Sequence, residues 1–500
     1  MADHTVRRGA AGDAAGFGGR PSGVLLGKGA WFVFAAGGAM VALATFLDVW
    51  WLQLPAFCAI APSLALARRI PPRRCYPAGL CFFAAWLLPT TYWYYTFMPV
   101  WLAVLASVGY VALAANLFRL FELRRLAFPF VLALLVVCWP ALTFVRMHLP
   151  VTQDWWIPHL GYAVWRNSGV LQLAGLGPGP LGGETTLEAA VVLANALIAW
   201  LLVGVGRAAL VGGTLPASGR PSAGRAGLAG RALPTPRARL ARTLAGPALA
   251  VVLMGVVAGA NVIVWRMPGA GPASGPARIL ALQQPTAGGV DVPATREDVG
   301  ALQRATSAAL EESGARSAAA GPTVVVWPEN SLSWDLRPRA AEAARELDVA
   351  IVFHAVEVRG ADHLKRVIMV DAEGRQVLVN AKLHIAPDEI GTGEYSAGSV
   401  RLAGRAVTAY VCYDMHYPDS VARIGEADLV LVPINDAAYG PLQQRLHAAD
   451  LAIRAVQSGA EVVSSSTTGP TVHIDRHGVV RDWVSGHGAG SLQVGEPAAG

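Results

Sequence analysis

The chain has 500 residues, 54% of them hydrophobic and only 15% charged, with a formal net charge of +6. That balance is too apolar for an ordinary soluble protein. The positive charge does not point to nucleic acid, because most arginines fall in short loops between apolar runs, where they set membrane topology. The length accommodates two or three domains, and no metal-type Cys/His cluster, cofactor motif or internal repeat is visible.

Residues 1–23 are rich in Gly, Ala and Arg and read as a disordered cytoplasmic tail. A transmembrane domain of about seven helices is expected over 24–266, with apolar runs beginning near Val24, Val49, Ala78, Val100, Ala127, Leu187 and Leu244. Arg68, Arg69, Arg73 and Arg74 follow the second run, Arg119, Arg124 and Arg125 the fourth, and a Gly/Pro/Arg-rich loop at 207–243 the sixth. The alternate loops are nearly bare of basic residues. The excess of Arg on alternate loops predicts a cytoplasmic N-terminus and, after seven crossings, an extracytoplasmic remainder. The loop 147–184 breaks the pattern with Trp155, Trp156, Tyr162 and Trp165 on the outer side. These aromatics read as an interfacial anchor belt, or as a wall for a lipid substrate.

Residues 277–500 change character: short β-branched runs alternate with helical segments, which argues an α/β domain with some antiparallel hairpins. Strands are expected at Ile279–Leu282, Thr323–Trp327, Ala350–Phe353, Val367–Val370, Val377–Val379, Val407–Val411, Leu429–Val432, Val462–Ser465 and Thr471–Ile474. Helices are expected at Arg296–Glu312, Ala340–Leu347 and Leu442–Gln457. Of the five cysteines, only Cys412 lies in this polar half, at the end of an apolar strand; it is either a small core filler or a reactive thiol. Glu329 and Lys382 also follow strands. Gathered at one sheet edge, the carboxylate would take the proton of the thiol and the ammonium would stabilise an oxyanion.

Trp327-Pro328-Glu329, Lys382-Leu383-His384 and Val411-Cys412-Tyr413-Asp414 resemble the Glu-Lys-Cys motif series of the nitrilase (carbon–nitrogen hydrolase) superfamily, as do Pro433-Ile434-Asn435-Asp436-Ala437 and Ser466-Thr467-Thr468-Gly469. Behind about seven spans, and with Leu160-Gly161-Tyr162 in the outer loop, the series is similar to the apolipoprotein N-acyltransferase family, the membrane-embedded branch. The resemblance implies an α-β-β-α sandwich carried on a polytopic α-helical membrane domain. It implies acyl transfer from a phospholipid donor to the N-terminal amine of a diacylated apolipoprotein, through a thioester on Cys412. Glu329 would be general base and Lys382 the oxyanion stabiliser, supported by Tyr413, Asp414, Asn435 and an auxiliary glutamate, either Glu394 in Gly393-Glu394-Tyr395 or Glu389. No cofactor or metal is implied. A monomer in a bacterial cytoplasmic membrane is expected, with the catalytic domain and C-terminus outside.

The Cys-Tyr-Asp sequence is closer to soluble amidases, and the arm between Lys382 and Cys412 is shorter than in the acyltransferase family. They keep open a membrane-tethered amidase or nitrilase that hydrolyses an extracytoplasmic C–N bond.

Overall fold

Where a bilayer offers no water, each backbone polar group must find a partner inside the protein, and helices do this within one segment. The computed structural model describes residues 28–149, 156–176, 182–211, 236–267, 278–285, 295–313, 322–330, 332–387, 389–484 and 488–495. The tail expected over 1–23, Trp155 and most of the loop 207–243 lie outside them. Among the described residues, six helical stretches are long and apolar enough to cross a membrane: Gly29–Phe46, Trp50–Ala67, Val100–Glu122, Phe128–His148, Glu184–Gly204 and Ala248–Arg266. The run expected near Ala78 forms a shorter helix, Cys75–Thr90, of 16 residues, about 24 Å at 1.5 Å per residue. It still runs between the same two ends of the bundle as its neighbours. It starts beside Arg73 and Arg74, and its C-terminal extension reaches Ala438, whose carbonyl oxygen accepts from Thr96 Oγ1 at 3.3 Å.

Two sequence features shape the bundle. Gly38 lets the first helix lie directly on Cys75–Thr90, since a Cβ there would sit 2.0 Å from the Phe82 carbonyl oxygen; small residues permit such close approach. The second span is broken into Trp50–Gln53, Ala56–Ala59 and Ala61–Ala67. Asn195 repairs one break: its Oδ1 accepts from the N–H groups of Ile60 and Ala61 at 2.9 and 3.0 Å, and its Nδ2 donates to the Ala56 carbonyl at 2.9 Å.

The C-terminal half holds strands β1 (Arg278–Gln283), β2 (Thr323–Val326), β3 (Leu332–Ser333), β4 (Ala350–Arg359), β5 (Asp362–Val370), β6 (Gln376–Ala381), β7 (Val400–Leu402), β8 (Arg405–Ala409), β9 (Leu429–Ile434), β10 (Glu461–Ser466), β11 (Val472–Ile474), β12 (Val480–Trp483) and β13 (Gly490–Val494). They form two sheets, β13-β1-β2-β4-β5-β6, with β3 beside β4, and β12-β11-β10-β9-β8-β7. The central pairs β1-β2, β2-β4, β8-β9 and β9-β10 are parallel, as is β3-β4, and the remaining pairs are antiparallel. Strands β1, β9 and β10 are buried throughout; Ile279–Leu282 of β1 and Leu429–Ile434 of β9 accordingly read as unbroken apolar runs. Helices Arg296–Glu312 and Arg337–Leu347 cover the first sheet through Val299, Leu302, Ala340 and Ala344. Helix Pro441–Ser458 covers the second along β10 and β11. The result is a four-layer α-β-β-α sandwich joined to an α-helical membrane-type bundle.

The sandwich sits on one end of the bundle. Arg445 donates to the Phe46 carbonyl at 2.7 Å, Arg454 pairs with Glu184, and Arg481 donates to the carbonyls of Trp265 and Met267, both at 3.1 Å. The described arginines of the predicted cytoplasmic loops gather at the opposite end, where Arg68 donates to Leu126 O at 2.9 Å and Arg119 faces Glu122.

Candidate active site

Three strand ends converge where the two sheets meet. Glu329 lies just past β2, and its N–H reaches across to the Ile434 carbonyl in β9 at 3.4 Å. Lys382 follows β6. Asn380, two residues earlier, bridges the sheets by donating from Nδ2 to the carbonyls of Ala409 and Gly398, both at 3.0 Å. Cys412 opens a short 3-10 turn, Cys412–His416, after β8, with its backbone at φ +43°. That left-handed conformation costs a non-glycine residue of order 1–3 kcal/mol unless its surroundings hold it.

All three side chains are essentially buried. Lys382 Nζ donates to Glu329 Oε1 at 2.9 Å and to both Glu389 oxygens at 2.7 Å. Lys365, also buried, stands 3.6 Å from Glu389 Oε1. The cluster is thus two carboxylates and two ammoniums, alternating and formally neutral. Burial works against the charge on Lys382, but Glu329 and Glu389 overcome it and hold the amine well above its ordinary range. Burial raises the Glu329 carboxyl, with Lys382 opposing. Burial, reinforced by Glu329, also pushes the Cys412 thiol well above its usual value, despite Lys382. The resting thiol is therefore protonated, and a thiolate forms only as a base takes its proton. Glu329 Oε2 has no hydrogen-bond partner among the described residues, so it is open to accept one.

The two glutamates separate. A tight turn at Ala386–Glu389, with the Glu389 N–H on the Ala386 carbonyl at 3.0 Å, folds Glu389 back onto Lys382. The Glu394 carboxylate instead binds Arg366 at 2.7 and 3.1 Å, with its side chain 43% exposed. The structure therefore brings Glu389, and not the Glu394 of Gly393-Glu394-Tyr395, onto Lys382, because the turn shortens the path from the lysine to its second carboxylate. Asp414 lies outside the cavity at Cys412. Its Oδ1 accepts from the N–H groups of Leu383 and His384 at 3.0 and 2.9 Å, and Oδ2 lies 2.9 Å from Arg423 Nη2, so it bolts the loop after Lys382 to the nucleophile turn. Lys365 was missed by sequence reasoning; its signal is a lysine in the otherwise buried half of β5.

The cavity at Cys412 is walled from both halves of the chain. The bundle supplies Trp93, Tyr94, Phe97, Met98 and Trp156; the sandwich supplies Tyr413, Asn435 and Tyr439, with Glu389 and the Ala386–Pro387 turn. About 20 Å³ is left open, space for one water. Asn435 Oδ1 accepts from Thr467 Oγ1 at 2.7 Å and from the Ala437 N–H at 3.2 Å, whereas its buried Nδ2 has no partner among the described residues. A larger cavity of about 430 Å³ lies elsewhere on the seam, beside the Asp48–Arg166 pair, and contains none of the Glu-Lys-Cys residues.

The outer aromatics are interior rather than an exposed belt. Trp156, Tyr162 and Trp165 are all buried, because their segment is tucked under the sandwich. Trp156 packs against Tyr413 at 5.4 Å between ring centroids and donates to Tyr162 Oη at 2.8 Å; Tyr162 in turn donates to Asp450 Oδ1 at 2.8 Å. Trp165 stacks on Arg166 away from the cavity. Beneath Cys412, His447 Nδ1 lies 3.0 and 3.1 Å from the Asp436 carboxylate oxygens and Nε2 lies 3.2 Å from the Cys412 carbonyl oxygen. Burial opposes charge on this imidazole, but Asp436 outweighs it and raises its pKa. Cys412, Asp436 and His447 bring ligand-type atoms within 4.8 Å of one another, yet both histidine nitrogens already face acceptors.

Comparison with known proteins adds the relationship. Residues 36–197 match the model of the apolipoprotein N-acyltransferase N-terminal domain. The apolipoprotein N-acyltransferase of Rhizobium meliloti (strain 1021) is 29% identical over 200 residues, 32% of this chain and 37% of that protein. That of Sinorhizobium medicae (strain WSM419) is 26% identical over 215 residues, 35% of this chain and 39% of that protein. The chain thus aligns with little more than a third of the length of these curated relatives. Among solved structures, a mutant of the Nesterenkonia AN1 amidase from the nitrilase superfamily aligns at 20% identity and a TM-score of 0.39, covering 46% of this chain and 94% of that one. Another structure of that amidase, with the acetamide moiety of fluoroacetamide added covalently at the active-site cysteine, aligns at 21% identity and a TM-score of 0.38, covering 46% and 94%. The recognisable relationship is therefore with the apolipoprotein N-acyltransferases, and the family-model match that carries it lies in the membrane half of the chain, residues 36–197.

Proposed function

We propose that this protein transfers a fatty acyl chain from a phospholipid to the N-terminal amine of S-diacylglyceryl-cysteine on an apolipoprotein, through a thioester on Cys412. The observation that carries this reading is the composition of the cavity: a buried cysteine beside a Glu/Lys/Glu cluster opens toward aromatic side chains of the membrane bundle rather than toward water alone. A lipid ester lying in the bilayer meets the thiol at that seam.

In the first half-reaction the Cys412 S–H bond breaks, Glu329 accepts the proton and Sγ bonds to the ester carbonyl carbon. The developing oxyanion is stabilised by the Lys382 ammonium and by the Asn435 Nδ2 donor. Collapse expels the lysophospholipid alkoxide, which takes the proton back from Glu329. In the second half-reaction the lipoprotein amine attacks the thioester, gives its proton to Glu329, and the sulfur leaves and is reprotonated. The narrow resting cavity requires side chains such as Phe97 and Met98 to shift for the chain to enter; the thioether is well suited to that. We take the arginine end to be cytoplasmic, a reading that the Arg-rich loops support, so that this chemistry runs at the outer leaflet of a bacterial cytoplasmic membrane and is carried out by a monomer.

The test is incubation of the purified protein with phospholipid, followed by mass spectrometry of Cys412 and then addition of a diacylated lipopeptide. A long-chain acyl adduct that moves to the peptide amine is expected, and Cys412→Ser abolishes it because an alcohol is far less ionised than a thiol. Release of ammonia from a small amide, with the lipopeptide inert, overturns the proposal in favour of the membrane-tethered amidase.

A further inference from the structure

Directly beneath Cys412 lies a buried pair that the Glu-Lys-Cys chemistry does not use. Asp436 follows β9 and His447 lies on helix Pro441–Ser458; both side chains are fully buried. The His447 ring bridges the Asp436 carboxylate and the main-chain carbonyl of the nucleophile itself, at 3.0 and 3.2 Å. Carboxylate and carbonyl oxygens are both acceptors, so the bridge requires a proton on each ring nitrogen. The carbonyl it grips belongs to the residue whose backbone is left-handed at φ +43°. The Trp156 ring packs against the imidazole edge-on, with 5.1 Å between ring centroids.

We propose that Asp436 and His447 act as a positioning pair: by holding the Cys412 carbonyl they keep the nucleophile in its left-handed conformation, with Sγ beside Glu329 and Lys382. The pair takes no proton from the thiol. It fixes the peptide unit that aims the thiol, while Asp436 fixes the ring. The inference rests on Cys412 being the nucleophile of the proposed reaction but is independent of which acyl donor or acceptor is used.

The experiment compares full-length wild type with His447→Ala, His447→Gln and Asp436→Asn. The probe is p-nitrophenyl butyrate, an activated ester that acylates a nucleophilic cysteine without lipid recognition. The burst of nitrophenolate gives the acylation rate constant and its half-saturation, and thermal melting is followed in parallel. His447→Ala is expected to slow acylation by roughly 10²-fold, the scale of a misplacement of about 1 Å, with half-saturation unchanged. His447→Gln, whose amide N–H can still donate to the carbonyl, is expected to recover most of that loss, and Asp436→Asn to fall between them. A wild-type burst rate in His447→Ala overturns the proposal. So does a glutamine variant as slow as the alanine variant when both melt like wild type. A wild-type burst with the ester but no acyl transfer from phospholipid to lipopeptide overturns the proposed function and leaves this comparison intact.

Discussion

Replacing Lys382 by Met removes the centre of the buried charge cluster. The ammonium lies 2.9 Å from Glu329 and 2.7 Å from both oxygens of Glu389, with none of the three side chains more than 3% exposed. Its loss leaves two carboxylates facing one ammonium, Lys365, in a site that water barely reaches. Breaking a buried pair by removing one partner costs about 3–5 kcal/mol. At roughly 2–4 °C per kcal/mol for a domain of this size, the melting temperature in detergent should fall by about 10 °C. The fall should shrink as pH is lowered, since protonating one carboxylate restores neutrality. Ester-burst activity should drop by about 10²–10³-fold, the typical effect of losing one oxyanion donor. The double variant Lys382→Met/Glu389→Gln is formally neutral again. It should regain most of the melting temperature while remaining inactive, separating charge balance from chemistry. A Lys382→Met protein with wild-type stability and near-normal turnover would refute the reasoning on both counts.

As the proposed base, Glu329 would have to be ionised to accept the thiol proton, and burial raises its pKa above the ordinary 4.5. Activity should therefore fall as pH drops through a value higher than 4.5, and Glu329→Gln should lose most activity at every pH; an acid limb at an ordinary carboxylate pKa would contradict this. Glu389→Gln should be severely impaired while Glu394→Gln, which loses only a partly exposed pair with Arg366, stays within about threefold of wild type in the same burst assay; the reverse order would return Glu394 to the site. Asn195→Leu strips partners from two backbone N–H groups and a carbonyl inside the bundle, so it should cost at least about 2 kcal/mol in detergent melting with Cys412 still acylated; an unchanged melting curve would show that the helix break is satisfied another way.

The β-branched runs marked most of the strands because the central ones are buried on both faces, and the ends of β2, β6 and β8 were visible as a charge or a thiol just past an apolar run. The short edge strands β3, β7, β12 and β13 escaped, since their partly exposed residues carry no strong alternation. Glu389 and Glu394 could not be ranked from spacing: the turn at Ala386–Glu389 is a three-dimensional shortcut. Lys365 and His447 were hidden because each is one of several polar residues in its element, and only the fold shows which of them meets the cluster or the Cys412 carbonyl. The third span fell short because Pro71, Pro72 and Pro89 bracket Cys75–Thr90, cutting an apolar run that composition alone extends. The aromatic loop misled in the other direction, since tryptophan and tyrosine suit a headgroup layer and a packed interior equally well.

The seam at Cys412 divides labour between the two halves of the chain. In the proposed reaction the groups that make and break bonds hang from β-strand ends, whereas Trp93, Tyr94, Phe97 and Met98, which an incoming acyl chain would have to slide past, hang from helix ends. Recutting that helical lip alone would retune which tails are admitted, by length or unsaturation, and leave the reacting atoms where they are; such a molecular ruler can drift from one membrane composition to another without re-inventing its chemistry.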